Sequence, residues 1–153
     1  MSELSHVDAR GAARMVDVSE KDATSRTARA AGLITMATET LNAIRDNSLK
    51  KGDVLAVART AGIMAAKRTA DLVPLCHQLP LTAVEVAFEL RSDPPAVQVE
   101  ATVRTIARTG VEMEALVAAG IALITIYDMT KGVDRSMTIA DLRVLEKRGG
   151  RSG

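Results

Sequence analysis

Hydrophobic positions in this chain change their spacing several times, and each change marks an element. MVDVS (15–19) alternates apolar and polar residues like a short strand. ARAAGLITMA (28–37) is mixed, and Gly32 with the Leu33-Ile34-Thr35 group favours a strand over a helix. TETLNAIRD (38–46) carries Leu41 and Ile44 on one face of a short helix. After Lys50-Lys51-Gly52, Asp53 is placed to cap a helix over 54–73. The apolar positions of that helix are Val54, Val57, Ala58, Ala61, Met64 and Ala65. Pro74 forbids its continuation, and PLCHQLPL (74–81) is a loop braced by two prolines. TAVEVAFELR (82–91) and AVQVEATVRTIAR (96–108) alternate around an SDPP turn as the clearest hairpin. A helix over 111–131 and a last strand over 136–147 follow. Residues 1–14 read as an arm, and about 148–153 as a solvated tail.

The order β-α-β-β-α-β predicts an α+β sandwich of ferredoxin-like layout, an antiparallel sheet with helices on one face. No internal repeat or linker divides residues 1–153, which are expected to form a single domain.

The stretch ALVAAGIALITIYDMTKGVDR (115–135) changes that picture. Residues 115–127 carry no charge, and Thr125 is the one polar side chain besides the Tyr127 hydroxyl. A helix that covers only its own sheet needs an apolar stripe, not apolarity all round. Its far side therefore packs either on a second copy of the chain or on the chain's own arms. The uncharged run falls short of the roughly 20 residues that cross a bilayer. No secretory apolar block opens the sequence. Cys76, the only cysteine, has no internal disulfide partner and fits a reducing compartment. The expectation is a cytoplasmic protein with no membrane partner.

Charge and aromatic content narrow the partners further. Lys and Arg (20) nearly balance Asp and Glu (19), so no broad field favours nucleic acid. Phe88 and Tyr127 alone offer rings on which bases could stack.

Asp128 and Lys131, at i and i+3, share a helix face as a pair that keeps both groups charged, or as an ordinary surface salt bridge. Glu114 and Lys131 lie at opposite ends of the predicted helix, about 25 Å apart. One pocket holding both ends would need two copies of the chain. His77, in the braced loop beside Cys76, suits proton transfer near neutral pH, or else caps a backbone group. One Cys and two His make no zinc spacing. Lys51 precedes a helix N-terminus, where free amides favour anions, with Lys50, Arg59, Lys67 and Arg68 near in sequence. A solvated basic face is the plainer reading of the same residues, and no P-loop spelling occurs.

Taken in order, MVDVS, KKGDVLAVARTAGIMAAKRTADLVPLCHQLPL (50–81), TGVEMEALVAAG (109–120) and IYDMTKGVDR (126–135) closely resemble the MoaC family, the cyclic pyranopterin monophosphate synthases of molybdenum cofactor biosynthesis. The resemblance implies a ferredoxin-like fold and a hexamer built as a trimer of dimers, with the pocket between protomers. It implies a lyase that converts 3′,8-cyclo-7,8-dihydro-GTP, the product of a radical SAM enzyme, to cyclic pyranopterin monophosphate with loss of pyrophosphate. Carried over by motif, Asp128, Lys131 and Lys51 are catalytic. Leu75, Cys76, His77, Met113 and Glu114 line the substrate site, and Arg26, Lys67 and Glu112 are further contacts. No cofactor is firmly implied, and whether Mg²⁺ accompanies the triphosphate stays open. The chain departs from the family pattern at Gln78, Thr130 and Gly132, where many relatives have Pro, Cys and Ala. A non-catalytic ferredoxin-like regulator, binding a small anion at a subunit interface, is the competing expectation.

Overall fold

The computed structural model describes residues 4–150. Alternation along Thr24–Thr35 (β1) turns Ala28, Ala30 and Ile34 to one face, where all three are fully buried. Pro95–Ala107 (β3) buries Val97, Val99, Ala101 and Val103 in the same way and pairs antiparallel with β1, from Thr24↔Ala107 to Thr35↔Ala96. Leu81–Ser92 (β2) joins β3 through the expected hairpin, and Thr138–Arg148 (β4) lies on the other side of β1. The sheet order β2-β3-β1-β4 gives the ferredoxin-like topology that the element order predicted.

Two long helices, Val54–Lys67 (α2) and Glu112–Thr130 (α4), lie on the face carrying these apolar side chains. The opposite face is charged: Arg29 pairs with Glu100 and Glu146, and Arg104 with Glu85. The aromatic-poor composition has a packing consequence. The core is made of small residues, so backbones approach closely. A Cβ on Gly62 of α2 would stand 2.9 Å from the Ala118 carbonyl of α4. The helices run antiparallel, which sets the N-terminus of α2 beside the C-terminus of α4 and its C-terminus beside the start of α4.

Short helix Thr38–Arg45 (α1) has no side-chain cap of its own at Ala37. Asp134 supplies one from the far end of the chain: its Oδ2 accepts from Ala37 N and from Thr40 Oγ1, each at 2.8 Å. This ties α1 to the turn that follows α4.

Three expectations need correction. MVDVS forms no strand; it runs beside the 74–80 loop, where the Val16 carbonyl meets His77. Five alternating residues are too few to secure a place in the sheet without a neighbouring ladder. The helix over 54–73 is broken at Arg68 (φ −116°, ψ 17°), with a one-turn helix Thr69–Leu72 (α3) after it. Its buried face also differs: Gly62 and Ala66 are inside, while Val57 and Met64 are exposed. Finally, the tail is not simply solvated from 148 onward. β4 continues through Arg148, and Gly149 and Gly150 pack on Ser25 and Arg26. The arm holds a local bridge between Val7 and Ala13. Residues 1–3 and 151–153 of the arm and tail lie outside the described residues.

Helix α4 has the length and composition of a membrane span, with a mean hydropathy of 1.5 in its most apolar window. Half of that window is buried within the chain, as in the core helix of a sandwich. Its exposed side remains apolar. Leu116, Val117, Gly120, Ile121 and Ile124, with Leu142 of β4, line an open trough of about 430 Å³.

Candidate active site

Chemistry-bearing residues collect at the two ends of α4. At the C-terminal end, the chain turns at Gly52 (φ +99°), and Asp53 caps α2 by accepting from Ala56 N at 3.0 Å. That turn sends Lys51 across to the end of α4. Its Nζ donates to the Asp128 main-chain oxygen at 3.0 Å and lies 3.7 Å from Asp128 Oδ2. Lys131 Nζ meets the other carboxylate oxygen, Oδ1, at 3.0 Å. The ion pair and charge of Lys131, with the nearby charge of Lys51, hold the Asp128 carboxyl below its ordinary range. All three side chains are more than half exposed. Two ammonium groups held in the open by one carboxylate carry a net positive charge, which suits an anion.

At the N-terminal end, Glu114 is 2% exposed. Its Oε2 faces Cys76 Sγ at 3.8 Å, and Oε1 has no hydrogen-bond partner among the described residues. Burial, opposed in part by hydrogen bonds and aided by the charge of Glu112, pushes the Glu114 carboxyl up. Burial and Glu114 together push the Cys76 thiol up to about 11, so it stays protonated at neutral pH. Cys76 and His77 do not face each other. His77 Nε2 lies 2.6 Å from the Val16 carbonyl, which can only accept. Nε2 therefore carries the proton, and in the neutral ring Nδ1 is the free acceptor.

The same end gathers most of the remaining candidates. Arg26, 8% exposed, donates from Nε to the Ala107 carbonyl at 3.0 Å. Glu112 pairs with Lys147 at 3.2 Å, and its charge still reaches Glu114 and Cys76. Met113 is exposed beside the apolar trough, and half-buried Leu75 precedes Cys76 in the loop. Lys67 ends α2 and lines a separate recess of about 300 Å³ with Ile63, Leu79, Leu81, Ala83 and Val84. Arg59 leaves the basic group altogether: it sits over the Phe88 ring at 5.5 Å and donates to the Val86 carbonyl. No group of three or more His, Cys, Asp or Glu side chains among the described residues is arranged to hold a metal ion.

The structure thus unites Lys51 with Asp128 and Lys131, and Cys76 with Glu114. Within one chain it leaves the two sets separated by the length of α4, about 25 Å from Glu114 to Lys131. Val16 and Asp134 were not singled out as functional from the sequence. Their partners lie 61 and 94 to 97 residues away, beyond any local pattern.

The MoaC family profile matches residues 15–150, which take in both sets. The chain belongs to the MoaC family. It is 58% identical over its whole length to a cyclic pyranopterin monophosphate synthase of Thermomicrobium roseum, covering 92% of that protein. Similar likeness links it to the synthases of Dinoroseobacter shibae (58%, 97% of that protein) and Heliobacterium modesticaldum (54%, 96%), again across the whole chain. Of the positions that depart from the expected pattern, Gln78 is exposed on the 74–80 loop. Thr130 is fully buried, bonding the Ile126 carbonyl at 2.7 Å, and a Cβ on Gly132 would meet nothing within 4 Å.

Proposed function

We propose that this chain is a cyclic pyranopterin monophosphate synthase. It converts 3′,8-cyclo-7,8-dihydro-GTP to cyclic pyranopterin monophosphate with release of pyrophosphate, in molybdenum cofactor biosynthesis. The observation that carries the reading is the Asp128 carboxylate bracketed by Lys51 and Lys131, in a family member with full-length synthase relatives.

The substrate brings about four negative charges, and its triphosphate must lose pyrophosphate as a cyclic phosphate closes. Arg26, Lys67 and Lys51 hold phosphate oxygens and offset charge on the leaving group. Lys131 and Lys51 serve the proton transfers that open and rebuild the purine-derived ring, with Asp128 orienting both. His77 offers Nδ1, and the buried Glu114 carboxyl, its proton affinity raised by burial, faces the same side; Leu75, Cys76, Met113 and Glu112 complete that wall. Any Mg²⁺ that accompanies the triphosphate would be held by phosphate oxygens.

The active site is shared between two copies. A two-fold axis crossing α4 beside Ile121, midway between 114 and 128, would set each Glu114 opposite its partner's lysine–aspartate end. The apolar trough along the exposed side of α4 lies at that midpoint and would be covered by the same contact. The family resemblance extends this dimer to a hexamer of three such pairs, working in the cytoplasm downstream of a radical SAM cyclase.

Incubation of the purified chain with the cyclised GTP derivative should release pyrophosphate and a reduced pterin that becomes fluorescent after chemical oxidation with iodine. Binding of the nucleotide without either product would favour the regulator instead.

A further inference from the structure

We infer that Gly150 is a positioning residue, whose bare backbone seats the Arg26 guanidinium at the anion-binding end of the site. The inference rests on the reading of Arg26 as a phosphate contact. Arg26 is 92% buried by its 8% exposure, and no carboxylate lies within ion-pair distance among the described residues. A buried guanidinium without a counter-charge is costly, and such a group is stabilised when an anion arrives. Only Nε is committed, to the Ala107 carbonyl, which leaves the Nη groups for a ligand.

What fixes the direction of those Nη groups is the end of β4. Lys147 pairs with Glu112 and fastens this strand end to the first turn of α4. Arg148 is in register with Thr27, and the chain then passes over Arg26 through two left-handed glycines, Gly149 (φ +97°) and Gly150 (φ +70°). The two do different things. A Cβ on Gly149 would collide with the Ser25 carbonyl, main chain held in the sheet. A Cβ on Gly150 would collide with Arg26 Nη1 and stand 3.0 Å from Cζ and 3.2 Å from Nη2. Main chain cannot yield there, whereas the end of an arginine can. Alanine at 149 therefore attacks the fold, and alanine at 150 displaces the guanidinium.

The test measures binding of inorganic pyrophosphate by calorimetry, together with turnover, in wild type, Gly150→Ala, Arg26→Lys and the double variant. Lysine has no Nη1 to clash, so the two changes should couple. Gly150→Ala should weaken pyrophosphate binding and raise KM about tenfold, with kcat changed less than about threefold. In the Arg26→Lys background the same change should do almost nothing. Any strain from the positive φ lowers Tm equally in both backgrounds, so the coupling survives a loss of stability. Wild-type protein that binds no pyrophosphate would overturn the anion role of Arg26 and the brace with it. Binding that Gly150→Ala leaves intact, or weakens equally in both backgrounds, would overturn the brace alone.

Discussion

Lys51 donates to the main-chain oxygen of Asp128 at 3.0 Å across 77 residues of sequence, while Lys131, one helical turn on, holds the same residue's carboxylate. One carboxylate thus fixes the spacing of two ammonium groups from different elements. Because all three side chains are more than half exposed, this cluster contributes little to stability. Lys131→Ala and Asp128→Asn should each lower kcat by roughly 10²–10⁴-fold while moving Tm by no more than about 1–2 °C. Steady-state kinetics and thermal melts on the same preparations check both halves. A large Tm loss would assign the cluster to folding instead.

Glu114 should make stability fall with rising pH. Its folded carboxyl binds its proton more tightly than the unfolded one, since burial raises it. Stability is therefore fullest below the ordinary glutamate range and declines as pH rises through the raised folded value. Glu114→Gln cannot titrate, so its advantage over wild type in Tm should grow across that window. Parallel melting curves from pH 4 to 8 would show that Glu114 is satisfied after all.

Asp134 behaves in the opposite sense. Burial alone would raise its carboxyl, but bonds from Ser136, Ala37 and Thr40 outweigh that and hold it at about 2. Its contribution is complete above the usual aspartate range and is lost as pH falls toward 2. Asp134→Ala strips α1 of its cap and should cost about 1–3 kcal/mol in urea unfolding at pH 7. The same variant should show a flatter stability profile between pH 4 and 2.

Two glycine-to-alanine changes should differ in sign. Gly62→Ala gains about 1 kcal/mol of helix propensity, yet its Cβ would meet the Ala118 carbonyl at 2.9 Å and Val86 Cγ2 at 3.3 Å. Main chain must shift, so a net loss of about 1–3 kcal/mol is expected. Gly132 has open space around it, and Gly132→Ala should stabilise by about 0.4–1 kcal/mol. Denaturant midpoints of the two variants measure both.

Legibility in the sequence followed the range of the forces involved. The hairpin from Leu81 to Ala107 was readable because its alternation persists along both strands, and α4 because its apolar run is long and unbroken. Asp53 was readable as a cap because its partner, Ala56, is three residues away. MVDVS was misread because five residues of alternation describe a shape, not a neighbour. The break at Arg68 was hidden by continuous helix formers, and the burial of Gly62 by a helix facing it from more than fifty residues on. For the candidate site, the motifs named the residues, and charge and periodicity left their grouping open. That Cys76 meets the Glu114 carboxyl and the His77 main-chain oxygen, rather than the His77 ring, depends on the 74–80 loop meeting the start of α4. Arg26 packs against the last described residues of the chain, Gly149 and Gly150, more than 120 residues on.

A shared site is tested most directly by subunit exchange between Lys131→Ala and Glu114→Ala, each inactive alone. If each pocket takes one end of α4 from each of two copies, a mixed dimer keeps one intact pocket and one doubly damaged. Random re-pairing of equal amounts should then restore about a quarter of wild-type turnover. Verified exchange with no recovered activity would contradict the account, as would a monomer that turns over at the full rate.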